Sequence, residues 1–224
     1  MDNNAKIYLS EQELQLMSNA RFILTKRKII SLITKMFADV SSTMQQATTE
    51  KKEWLPEEVI KSSAKISKGE NYLELPYVIL DYPRIFAAGN IFAMRSMFWW
   101  GNFFSVTLQL AGNYKNCFQQ MLLANINRHR LDDFFVCIQE DQWQHHFERD
   151  NYIPLDALDE NEISDLFKAR PFIKLAIRIP LQQPERAASL LLKAFENLLE
   201  LLKTNFQGGE KGLSPVIPIE GSGL

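Results

Sequence analysis

The stretch EDQWQHHFERD, residues 140 to 150, holds the densest group of metal-ligating and proton-transferring side chains in the sequence. On a helix, Asp141, His145 and Glu148 would stand at i, i+4 and i+7 on one face, a placement that lets two carboxylates and an imidazole share one divalent metal ion or orient one water. With Asp132 or Asp133 contributing from a neighbouring strand, the chemistry would be that of a metal-dependent hydrolase. The pattern is not HExxH, and no second ligand pair stands at a recognised spacing. In a loop the shared face disappears. The same residues then read as ion pairs around a turn anchored by Trp143, with His145 or His146 bonding backbone groups, and this is the reading the sequence favours.

A second group lies in IFAMRSMFWWGNFFSVTLQLAG, residues 91 to 112, the most apolar stretch of the chain. It has the roughly 20 residues of a membrane span, but Arg95, Asn102 and Gln109 fall inside it. Its second half alternates, Phe104, Val106, Leu108 and Leu110 against Ser105, Thr107 and Gln109, as a half-buried strand does. Gly101-Asn102 between two such runs predicts a two-residue hairpin loop. That loop would set Trp100 opposite Phe103 and Arg95 opposite Leu108, so one face would carry Arg95 among Ala93, Met97, Trp99, Phe104 and Val106. A guanidinium there needs an ion pair, such as one with Asp81 or Asp132, a bulge that turns it outward, or a ligand anion. The other face would gather Phe98, Trp100 and Phe103 with small hydroxyls and an amide, an aromatic surface for a small molecule or a protein. Arg95, Phe98, Trp100 and Phe103 are the ligand-binding candidates.

These groups must be held by the elements around them. Helical periodicity runs from about residue 10 to 46 with a break near Ser18-Asn19, and Ser10 with the following acids reads as its start. Pro56 opens a short helix, and residues 114 to 129 and 184 to 203 read as longer ones. Asp159 with Glu162 spells a capping box. LPYVILDY, FAMRSMFWW, FFSVTLQL, FFVCIQ and FIKLAIRI read as strands. The expected fold is α+β: a largely antiparallel sheet of about five strands with helices packed on it, a helical N-terminal element over 1–50, the α+β domain over 51–204 and a flexible tail over 205–224. The leucine-rich helix at 184 to 203 is apolar on more than one stripe, so it is either deeply buried or half of a homodimer interface.

Composition narrows the function classes. Hydrophobic residues make up 46% and charged residues 23% of the 224, ordinary values for a soluble globular chain. A net charge of -2 gives no global attraction to nucleic acid or an anionic membrane, and Lys26, Arg27, Lys28 and Lys35 read as a solvated helix face. Cys117 and Cys137, in apolar surroundings, read as reduced thiols, and the first residues lack a secretory pattern, so the expected location is cytoplasmic. Neither a phosphate-binding glycine loop, a GxSxG nucleophile motif nor a CxxC pair occurs. The expectation is a non-catalytic domain that binds a small molecule or a protein through the aromatic sheet face. The metal-dependent hydrolase at 141–148 is its rival and a homo-oligomer a further option.

Overall fold

The computed structural model describes residues 6–128 and 133–203. Seven strands form one antiparallel sheet: β1 (Lys65–Tyr72), β2 (Leu75–Ala87), β3 (Asn90–Trp99), β4 (Phe103–Ala111), β5 (Phe134–Cys137), β6 (Tyr152–Pro154) and β7 (Phe172–Pro180), in the order β1-β2-β3-β4-β7-β5-β6. The α+β class stands, with two more strands than expected. Both additional strands are edges. β1, KISKGENY, is polar because only part of it is covered, and the three residues of β6 are too few to show a period.

The helices are α1 (Glu11–Ser18), α2 (Ala20–Glu50), α3 (Glu57–Ile60), α4 (Asn113–Ile126), α5 (Glu160–Ala169) and α6 (Ala187–Glu200). The Asp159/Glu162 capping box forms, the helix start at Ser10 proves to be a second one with Glu13, and the break between α1 and α2 falls at Asn19. The C-terminal half of α2, α4 and α6 cover one face of the sheet, where Phe37, Met44, Phe118, Leu122, Leu191 and Phe195 meet Val78, Leu80, Phe92, Val106, Leu108 and Leu175. The multiple stripes of α6 are explained by burial within its own chain, since Leu191, Phe195, Leu198 and Leu199 are all fully enclosed. Among the described residues, no helix is long and apolar enough to cross a membrane.

The hairpin between β3 and β4 corrects the expected pairing. Its loop is Trp100-Gly101-Asn102, closed by the Asn102 amide donating to the Trp99 carbonyl (3.1 Å), with Gly101 at a φ of 76° in the third position of the turn, where a type II turn demands glycine. The extra residue shifts the register by one, so Trp99 opposes Phe103, Phe98 opposes Phe104 and Arg95 opposes Thr107. Phe98 therefore lies with Phe104 and Val106 against the helices. Arg95 lies on the opposite face, with Phe103, Thr107, Lys174 and Arg178.

Candidate functional site

The second face of the sheet is where the two sequence-predicted groups meet. Arg95 on β3 stands directly across from Asp81 on β2, and its Nε and Nη2 donate to the two carboxylate oxygens at 2.7 and 3.0 Å. This bidentate pair is the internal ion pair the sequence offered as one solution; Asp132, the other partner named, lies outside the described residues, as do His129, Arg130 and the 205–224 tail. The remaining Arg95 amine, Nη1, lies 2.9 Å from Nε2 of His145. A guanidinium only donates, so this nitrogen of His145 must be the unprotonated acceptor and the ring is neutral. Burial, reinforced by the positive charges of Lys174 and Arg95, holds the His145 pKa well below its ordinary value.

His145 comes down from a segment, residues 138 to 151, that forms no helix or strand and lies across this face. The Tyr72 hydroxyl of β1 accepts from the amides of His145 (2.6 Å) and His146 (3.0 Å). It lies 3.3 Å from His146 Nδ1, whose other ring nitrogen contacts Asp150 at 3.2 Å. Lys174 of β7, only 1% exposed, donates to the carbonyls of Gln142 (3.0 Å) and Gln144. Burial lowers its pKa to about 8. Gln109 of β4 donates to Gln142 (2.8 Å). Phe147 stacks on Tyr152 (centroids 4.6 Å apart) and meets Phe103 and Phe135 edge-on. Burial pushes the Tyr152 hydroxyl pKa well up; the group lies beside Thr107 without a hydrogen bond of good geometry. Cys137, also buried here, has its thiol raised by desolvation, the opposite of what a nucleophile needs.

Of the metal candidates, only His145 points into this layer. Asp141 is exposed, and its carboxylate accepts from the Trp143 amide (2.9 Å) and Gln144 (2.8 Å), hydrogen bonds that keep its pKa low. Glu148 is exposed, and its backbone carbonyl closes the turn to Asn151 and Tyr152. The helix that would have joined the three on one face is absent, and among the described residues no group of three His, Cys, Asp or Glu is placed to hold a metal ion. The ligand-binding candidates are divided as well: Phe98 and Trp100 face the helices, whereas Arg95 and Phe103 face the 138–151 segment. Tyr72 and Lys174 do most of the holding, and neither is among the residues the sequence marks as site candidates.

The apolar surface that stays open lies elsewhere. From residue 6 to residue 25 every position is exposed, including Leu14, Leu16, Met17 (67%), Phe22, Ile23 and Leu24 (63%). No residue of α1 is buried; along α2, Ile30, Ile33 and Met36 are partly buried against the core and Phe37 is the first buried residue. Just beyond this arm, between α2 (from Ile23 to Ala38) and the edge strand β1, runs a groove of about 890 Å³, lined by Ile23, Ile30 and Ile66 together with Lys26, Arg27, Lys35 and Lys68. A smaller groove of about 450 Å³ lies at the β2–β3 turn beside Phe86 and Trp143. The chain matches no protein-family model, no curated protein and no solved structure.

Proposed function

We propose that the chain is a non-catalytic interaction domain that binds protein through its N-terminal arm and the groove beside it. The expected class of function is retained, but the binding surface moves from the aromatic sheet rings, which are covered on both faces, to the arm. One observation carries the reading: a run of large apolar side chains across α1 and the first turns of α2 stays about half exposed or more, with none of them buried in the body of the chain. Exposed apolar residues scattered singly are ordinary, but a contiguous patch marks a surface that is covered in use. The buried polar layer supports the same reading from the other side, because its charged groups are consumed in holding the 138–151 segment.

The test places a photo-crosslinking residue at Ser31, exposed on the groove wall, and a second one at Glu160, exposed on α5, in separate full-length proteins. Protein adducts at Ser31 and none at Glu160 are expected. Equal adduct yields at the two positions, or none at either, would end this reading.

A further inference from the structure

We infer that the occupant of the groove is helix α1 of a second copy of this chain, exchanged reciprocally so that two copies close into a two-fold dimer. The inference rests on the interaction reading above and supplies its partner. Charge favours this occupant. The groove sets four cations, Lys26, Arg27, Lys35 and Lys68, against one carboxylate, Glu70, which is paired to Lys26. α1 carries Glu11 and Glu13 and no cation, with Leu14 and Met17 one turn apart to meet the apolar floor.

Connectivity excludes the chain's own α1 from the groove. α1 and α2 are joined by Asn19 alone, whereas a chain that doubles back into a helical hairpin uses about 2 to 5 linking residues. A wall of the groove is α2 itself, from Ile23 to Ala38, so a copy's own α1 cannot turn back to lie along it. The α1 of another copy has no such constraint. Each copy offers both the helix and the groove, so exchange can be reciprocal about a two-fold axis, and a reciprocal contact closes at two copies where a one-way contact would continue from copy to copy.

Helix α1 is also formed in advance. An isolated helix of about 8 residues is marginal in water, yet this one is capped at both groups of its N-terminus: the Ser10 side chain accepts from the Glu13 amide, and the Glu13 carboxylate accepts from the Ser10 amide at 2.7 Å. A capped helix with its apolar residues in solvent reaches a partner with part of the ordering cost already met.

Sedimentation equilibrium on the full chain tests the exchange. The wild type is expected to sediment as a concentration-dependent dimer. The variant Leu14→Ser/Met17→Ser, which damages the helix, and Ile23→Glu, which damages the groove, should each raise the dimer dissociation constant by about tenfold or more, a loss of about 1.4 kcal/mol or more, while melting of the monomer stays unchanged. The decisive mixture combines the two variants. A mixed dimer regains one intact helix-in-groove contact, whereas each homodimer has none, so the mixture should associate more tightly than either variant alone. A mixture no tighter than its components overturns reciprocal exchange, as does a dimer insensitive to both variants. A wild type that is monomeric at every concentration also overturns it; adducts at Ser31 to a protein of another mass would in that case leave the interaction reading standing, and their absence would remove both.

Discussion

The second face of the sheet and the N-terminal arm begin from similar material and end differently. Each presents aromatic and aliphatic side chains that a folded chain does not leave in water without consequence. On the sheet, Trp99 and Phe103 are enclosed by a segment of the same chain, which lays its own Phe147 against Phe103 and is held by directional polar contacts from Arg95, Lys174, Tyr72 and Gln109. On the arm, Leu14, Met17 and Leu24 have neither an apolar cover nor a polar anchor that would position one. Apolar area alone therefore does not tell which surface belongs to the core. The polar groups placed to hold a cover do.

That contrast is broken most severely at Arg95. Arg95→Met would leave the Asp81 carboxylate buried without its partner and His145 without its donor, and a loss of about 3 to 5 kcal/mol in unfolding free energy is expected by chemical denaturation. A smaller and pH-dependent effect is expected at Lys174. The folded chain gives up this proton near a pKa of about 8, the unfolded chain near 10.5, so below pH 8 both states hold the proton and the cost of burying the charge is present in full. As pH rises through that window the cost disappears, and wild type should gain stability relative to Lys174→Met, by about 3 kcal/mol at most. Cys137, whose raised thiol acts in the opposite direction, is present in both proteins and largely drops out of the difference. A gap that is flat between pH 8 and 10.5 would show that Lys174 is not buried as a cation. Smallest is the arm: Leu14→Ser/Met17→Ser should alter monomer stability by no more than about 0.5 kcal/mol, since no residue of α1 is buried.

The central strands, the capping box at Asp159/Glu162, the helix start at Ser10 and the break at Ser18-Asn19 were legible in the sequence because each rests on local chemistry: alternation, a cap with its third-position acid, a short polar interruption in a helical period. The edge strand β1 was not, because its pairing depends on β2 and not on its own polar residues. The pairing of β4 onto β3 failed on a single loop residue. Period-two side chains make such a slip exchange the faces of β4 relative to β3, so Phe104 and Val106 went to the side of Phe98 and Phe103 to the side of Arg95, while Arg95 and Phe98 lie on opposite faces as expected. Arg95 and Asp81 were nevertheless each readable as a charge inside an apolar strand run, and it is their direct opposition that makes the pair. His145 was singled out correctly for its neighbourhood but for the wrong geometry. Its partner comes from a strand 50 residues away, and no spacing within 140–150 records that.

The Tyr72 hydroxyl carries a consequence for how the backbone breathes. Two amides of a segment without regular secondary structure, those of His145 and His146, are bonded to one half-buried oxygen beneath a ring of aromatic neighbours. Their protons should exchange with solvent deuterium on the slow timescale of the strands, since freeing them requires the whole 138–151 segment to lift. The amides of α1, although regularly hydrogen-bonded and well capped, sit in a unit that frays without disturbing anything else and should exchange fast in the free monomer. In this chain a segment without helix or strand would then be one of the rigid parts and a well-formed helix one of the loose ones.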